Sequence, residues 1–428
     1  MQIRTRHILG FALALLALSA RAQELSPDVL TVARAVNTNR DLLKRLPLYT
    51  CLETIGRERP REHGHSSAHD VVQVDVGVAE KTELYSWPDD ARFSSLNLPD
   101  LVAHGLLSTG MFISFAHDLF VVNQDVVKLT GKDVIQGRDA FHLTYRVPSL
   151  ANRWTINWRG RTGELQETGE FWVDALDYHL LKLRVVAQDI PPLMLLRSIT
   201  LDIDYQLVQR DSDSMLLPMG GVLTVVDNAG KPYRNTVAFS HCHVFAAESK
   251  MYASDEVAAA ALTQYKQQEA VLPPALILPV TLDEPVLAKS ARVGDLISAR
   301  LTSAVRCSPE LEIPSGALLK GRIREFTLLD DPPDTYMVAF EFSELNLGDR
   351  SFRFFADLVD TASIPGIQFR VVQSRVTGLR SFAGGMEMTS NETTPAYVIP
   401  GTAVFYLQGT TAVPKGFQMR WRTTHVSR

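Results

Sequence analysis

Several groups of side chains in this 428-residue sequence have the composition of a chemical site. His63, His65 and His69, followed by Asp70, form the densest ligand-capable cluster, and Gly64, Ser66 and Ser67 would let a loop close around a metal ion. The same residues also compose an ordinary solvated loop, and that is the reading preferred. His241 and His243 flank Cys242; on a strand the two imidazoles share a face with Phe239 and Phe245 while the thiol points away. One ion could then be held by the two histidines but not by all three residues. Asp202 and Asp204 share a strand face, as the acid and base of a glycosidase can. Their alternation with Ile199, Leu201, Ile203, Tyr205 and Leu207 makes them the solvated side of a half-buried strand instead. Trp154, Ile156 and Trp158 fall on one face, between Arg153 and Arg159, as an aromatic sugar platform would; core packing is the commoner use of that spacing.

Motifs for covalent and nucleotide chemistry are missing. There is no G-x-S-x-G elbow, no cysteine in an activating context, no phosphate-binding G-x-x-x-x-G-K-[ST] loop and no G-x-G-x-x-G turn. The sequence therefore predicts a non-enzymatic protein with no cofactor, no catalytic residue and no metal site.

The opening residues predict where the chain goes. Arg4, Arg6 and His7 precede an apolar run from Ile8 to Ala20, and Ala20-Arg21-Ala22 has the form of a signal-peptidase site, with cleavage before Gln23. No cysteine follows for lipid anchoring, and no later run is long enough to span a bilayer. The expectation is a periplasmic or secreted product. Removing Arg4, Arg6 and Arg21 leaves 40 basic against 48 acidic residues, a net charge of −8, which argues against nucleic acid as a partner. From Pro365 onward Arg370, Arg375, Arg380, Lys415, Arg420, Arg422 and Arg428 face only Glu387 and Glu392, so that end could touch an anionic envelope surface peripherally. Three cysteines in an oxidising compartment imply one pair and one left over. Cys51 and Cys242 lie in strand-like segments of one half of the chain and Cys307 in the other, which predicts a Cys51–Cys242 disulfide.

The elements that position these residues are mainly β. Ser26-Pro27 starts an amphipathic helix that runs toward Pro47. A β-pattern begins at Tyr49, a polar insertion covers 56–70, and 96–122 is helix-compatible but interrupted by Gly105 and Gly110. Strict alternation over Phe141–Val147, Leu181–Val186 and Ile199–Leu207 marks antiparallel strands with one wet face. An alanine-rich stretch predicts a helical connector at 251–274. Beyond it, apolar-Pro-Gly turns at Ile313-Pro314-Ser315-Gly316, Ile399-Pro400-Gly401 and Val413-Pro414-Lys415-Gly416 each launch a strand, because proline sets the first corner and glycine supplies positive φ. The Gly-, Ser- and Met-rich 383–394 segment is expected to be a long loop.

The stretch from Gly169 to Leu183, with Trp172-Val173-Asp174 ahead of a hairpin, resembles the strand-turn-strand unit of the LolA and LolB lipoprotein carriers. That resemblance implies a curved antiparallel half-barrel covered by helices, holding acyl chains in an apolar concavity. Leu278-Pro279-Val280-Thr281-Leu282, Arg292-Val293-Gly294-Asp295 and Ile313-Pro314-Ser315-Gly316 with Gly321 resemble the C-terminal β-barrel of channel-lining proteins from type IV secretion and conjugation systems. The expected organisation is thus mainly β or α+β: a signal peptide at 1–22, a half-barrel at 23–250, the connector at 251–274 and a small β-barrel at 275–428. The expected function is non-catalytic binding of an apolar ligand or an envelope protein. The rivals are a structural component of an envelope assembly and a hydrolase of glycans or esters.

Overall fold

The computed structural model describes residues 26–425 apart from 61–66, 80–81, 89, 91–92, 94–96, 103–104, 123–126, 148–153, 211–212, 245–269, 310, 330–331, 333, 349, 371–385 and 392–400. The proposed signal peptide, His63 and His65, and most of the 251–274 connector lie outside the described residues.

Helix α1 (Pro27–Lys44) starts where sequence chemistry places it. The Val29 amide donates to the Ser26 hydroxyl, Pro27 occupies the first turn, and Asp28 and Lys44 sit at the ends their charges favour. It buries Ala35, Val36, Asn39, Leu42 and Leu43. Next come β1 (Tyr49–Pro60), β2 (Ser67–Ala79), β3 (Thr82–Ser86), the short helix α2 (Leu98–Leu101), β4 (Gly105–Ser108) and α3 (Ser114–His117), which runs into a wide turn at Asp118–Val122. The chain continues through β5 (Val127–Ile135), β6 (Arg138–Arg146), β7 (Trp154–Trp158), β8 (Arg161–Glu164), β9 (Gln166–Asp174), β10 (Leu180–Gln188), β11 (Leu196–Arg210), β12 (Asp213–Asp227) and β13 (Pro232–Val244).

Ten of these strands form one antiparallel sheet, in the order β3-β2-β1-β13-β12-β11-β10-β9-β6-β5. Its inward residues, one per two along each strand, share one apolar core with α1, the 98–120 segment, β4 and β7. The sheet therefore curls around its own insertion. One sequence expectation changes here and another holds. The polar 56–70 insertion is mostly strand at its two ends, because β1 and β2 pair from Thr50↔Gly77 out to Pro60↔Ser67. The 96–122 stretch is interrupted at the two expected glycines, Gly105 and Gly110, both at positive φ, and forms only short pieces.

The rest of the chain is short strands: β14 (Ala270–Val271), β15 (Ile277–Leu282), β16 (Val286–Leu287), β17 (Leu296–Leu301), β18 (Val305–Arg306), β19 (Glu312–Ile313) and β20 (Leu318–Leu328). These are followed by β21 (Thr335–Leu347), β22 (Arg350–Arg353), β23 (Phe355–Thr361), β24 (Ile367–Arg370), β25 (Met386–Asn391), β26 (Ala403–Gln408), β27 (Ala412–Val413) and β28 (Gln418–Thr424). Ten of them form a second sheet around a separate core that includes Phe340, Phe342, Phe405 and Trp421. Gly316, Gly401 and Gly416 all have positive φ, and each stands two residues before a strand, as the turn chemistry requires. Ile364-Pro365-Gly366 is a further copy, with Gly366 at φ 81°, and launches β24. Residues 270–271, the described start of the connector's end, are a parallel strand against β22 rather than helix.

The two sheets meet along a polar and aromatic seam. Val293 and Val72 form a parallel bridge, with Gln73 N–H donating to Val293 O and Val293 N–H to Val71 O. Arg322 donates to Pro88 O and Asp90 Oδ1, Arg324 donates to Leu101 O, and both guanidiniums lie over Trp87. Strand β25 crosses the seam altogether. The expected 383–394 loop instead contributes these six residues to a four-stranded sheet in the order β4-β25-β7-β8.

Candidate functional site: a cleft where two strands part

Strands β12 and β13 pair from Val226↔Pro232 only as far as Gly220↔Ala238. Beyond that point β12 stays with β11 and β13 stays with β1, so the two diverge. The sequence carries the reasons. A Cβ on Gly220 would lie 2.3 Å from Val237 O, so glycine alone permits the last close pairing. Met219 is the extra residue of a bulge, since Asp204 faces Gly220 while Tyr205 faces Pro218. Pro218 has no N–H to give a neighbouring strand. On the other side His241, at φ 49°, is the extra residue of a second bulge, between Thr50↔His243 and Leu52↔Ser240.

That second bulge reverses the expected facing of the histidines. Alternation resets after His241, so Cys242 turns to the face of Phe239 and is disulfide-bonded to Cys51. His241 and His243 are exposed, and they do not share the Phe239 face. Cys307 is a free thiol, half-buried, and burial pushes its pKa up.

The parting leaves a cleft of about 420 Å³. Its walls include Met215, Leu217 and Met219 of β12 and Phe239, Cys242 and Val244 of β13, with Tyr49 of β1 beside them. Met215, Leu217 and Phe239 are buried, whereas Met219 is 43% exposed and stands at the rim. Phe112, from the inserted segment, packs between Tyr49 and Phe239 with ring centroids 4.8 and 5.2 Å away.

Behind the cleft lies a buried polar group that sequence reading passed over. Glu83 accepts from the Gly110, Ile113 and Ser114 amides, the Ser114 hydroxyl and the Tyr85 hydroxyl, and so ties the insertion to β3. Burial, reinforced by the charge of Glu83, raises the Glu53 carboxyl well above its ordinary range. Burial also pushes Glu167 up to about 7, against the hydrogen bond it accepts from Tyr145 at 2.8 Å. Odd-numbered placement of Tyr49, Cys51, Glu53, Ile55 and Arg57 on one strand was the available signal that Glu53 points inward.

Asp70 forms a bidentate pair with Arg57 at 2.6 and 2.7 Å, and His69 is exposed. Asp202 pairs with Arg184 and Lys182 on the outer sheet face. Trp154, Ile156 and Trp158 are all buried in the first core. Asp174, Asp177 and His179 come together at the β9–β10 turn, but Arg138 pairs with Asp174 at 3.0 Å. Arg420 of the basic C-terminal part is ion-paired to Asp360.

Fold and site together define a helix-capped antiparallel half-barrel with an apolar cleft where β12 and β13 part. No family model matches this chain, and no curated protein matches it. Among solved structures, it is similar to a LolA superfamily protein from Nitrosomonas europaea, at 11% identity over 53% of this chain and 98% of that one, with a TM-score of 0.30. It is also similar to a DUF1329 family protein from Desulfovibrio piger, at 13% identity over 54% of this chain and 99% of that one, TM-score 0.28. MucB in complex with MucA(peri) matches over 91% of this chain and 99% of that one, at 12% identity and a TM-score of 0.15. Among the described residues no helix is long and apolar enough to cross a membrane.

Proposed function

We propose that this chain is a non-catalytic binding protein of the cell envelope that holds an apolar ligand, such as a lipid acyl chain, in the cleft between β12 and β13. The observation that supports this is the cleft itself: about 420 Å³, within the roughly 300–1,000 Å³ range of small-molecule sites, lined by Met215, Leu217, Phe239 and Val244. An acyl segment that buried about 200 Å² there would gain about 5 kcal/mol from burial alone, with no catalytic group needed. The methionines suit a ligand without fixed shape, since their side chains repack cheaply.

Native mass spectrometry of the protein purified from its host, followed by lipid extraction, tests the reading. The expected result is an adduct that leaves with the lipid fraction. A spectrum showing only the bare chain, with no adduct after incubation with lipid extract, would contradict it.

A second reading has an observation of its own. The concavity is filled by Phe112, Phe115, Phe120 and the β25 methionines, all buried, as a structural component of an envelope assembly would be. It predicts the bare chain. Hydrolysis of a glycan or ester has less support: among the described residues the buried carboxylates Glu53 and Glu83 lie behind aromatic packing.

A further inference from the structure

Strand β25 is the one described element of the chain's last third that lies in the first core. Met386 and Met388 are 2% and 0% exposed there, and the strand is antiparallel to β4 over Ser108↔Met388 to Gly105↔Asn391 and parallel to β7 over Trp154↔Met386 to Trp158↔Ser390. It enters and leaves through residues 371–385 and 392–400, both outside the described structure. The slot it occupies is shaped for a narrow, adaptable guest. A Cβ on Gly110 would stand 2.7 Å from Met386 Cγ, so glycine makes the room, and Phe115 meets Trp154 edge-on behind it at 5.5 Å. Among the described residues neither β4 nor β7 has another strand along the edge that β25 covers. Both edges therefore require a polypeptide backbone to satisfy their amides and carbonyls, which excludes a bare hydrocarbon chain as the guest.

We propose that the slot between β4 and β7 is a strand-acceptor site, that β25 is its resident in cis, and that a partner offering an extended peptide with flexible apolar side chains two residues apart takes the same slot. This site is separate from the β12–β13 cleft, and neither proposal depends on the other. The resident defines the chemistry: backbone hydrogen bonds on both sides give affinity, and the two buried methionine positions give selectivity. A strand tethered in cis competes at an effective concentration in the millimolar range, so the intact protein binds an outside peptide weakly and a protein with the resident evicted binds it well.

The test uses the full-length chain and a fluorescein-labelled peptide bearing Met386–Asn391, followed by fluorescence anisotropy. M386D/M388D places two charges in the core and evicts the resident; it is expected to bind the peptide at least tenfold tighter than wild type. S108C/M388C joins a directly facing pair, and its oxidised form is expected to bind at least tenfold more weakly than S108C alone, with the Cys51–Cys242 disulfide intact in both. A peptide with aspartate at both methionine positions should bind neither. Equal affinity in oxidised S108C/M388C and in S108C, or no saturable binding by M386D/M388D with native-like circular dichroism, would overturn the proposal. Should M386D/M388D fail to fold, the cysteine pair decides the matter alone.

Discussion

At the scale of single residues the buried carboxylates dominate. Glu83 satisfies three backbone amides and two hydroxyls inside the core. Glu83→Ala would leave those donors buried without an acceptor, and at about 1–3 kcal/mol for each unsatisfied group the expected loss is roughly 3–5 kcal/mol after partial relaxation, measured by urea unfolding. A loss below 1 kcal/mol would refute that role. Glu167 gives a pH signature. Its folded pKa of about 7 exceeds its ordinary 4.5, so the folded state holds the proton more tightly than the unfolded one. Its contribution is therefore fully present below about pH 4.5 and lost as pH rises through 7, up to roughly 3 kcal/mol. Glu167→Gln should flatten this part of the stability profile between pH 5 and 8; an unchanged slope would contradict the assignment. The inward placement of Glu53 was legible from alternation along β1. The partners of Glu83 were not, because Gly110 to Ser114 reach it from a turn that no periodicity marks.

At the scale of elements the cleft follows from two bulges in neighbouring strands together with Pro218 and Gly220. The strands themselves were legible, since Ile199 to Leu207 alternates strictly, and the turn chemistry located β20, β26 and β28. The bulge at His241 was not, because one extra residue leaves composition unchanged while it moves every later side chain to the opposite face. That shift lets Cys242 reach Cys51 across a sequence separation of 191. Closing so long a loop stabilises by up to roughly 5 kcal/mol in the chain-entropy view. Reduction, or Cys51→Ser with Cys242→Ser, should lower the melting temperature, and non-reducing peptide mapping should return Cys51 joined to Cys242. Cys307 found in a bonded peptide would overturn that pairing.

At the scale of the molecule, two cores share a seam, and β25 makes the first core depend on the last third of the chain. Long-range pairing of this kind has no local sequence signal, which is why 383–394 reads as a loop. Nonetheless all of the second core around Phe340 and Trp421 except Leu272 lies within residues 275–428. We expect that fragment to unfold cooperatively on heating, with the amides of 386–391 unprotected in hydrogen exchange; a broad, non-cooperative melt would contradict it. The central claim is that the β12–β13 cleft holds an apolar chain, and it is tested most directly by titrating the protein with a fluorescent fatty acid. Wild type should bind saturably and release the probe to added lipid. Met219→Glu with Val244→Glu, which charges the rim and wall while sparing the buried floor, should weaken binding at least tenfold with the melting temperature little changed. Absence of saturable binding by wild type, or equal binding by the charged variant, would contradict the account.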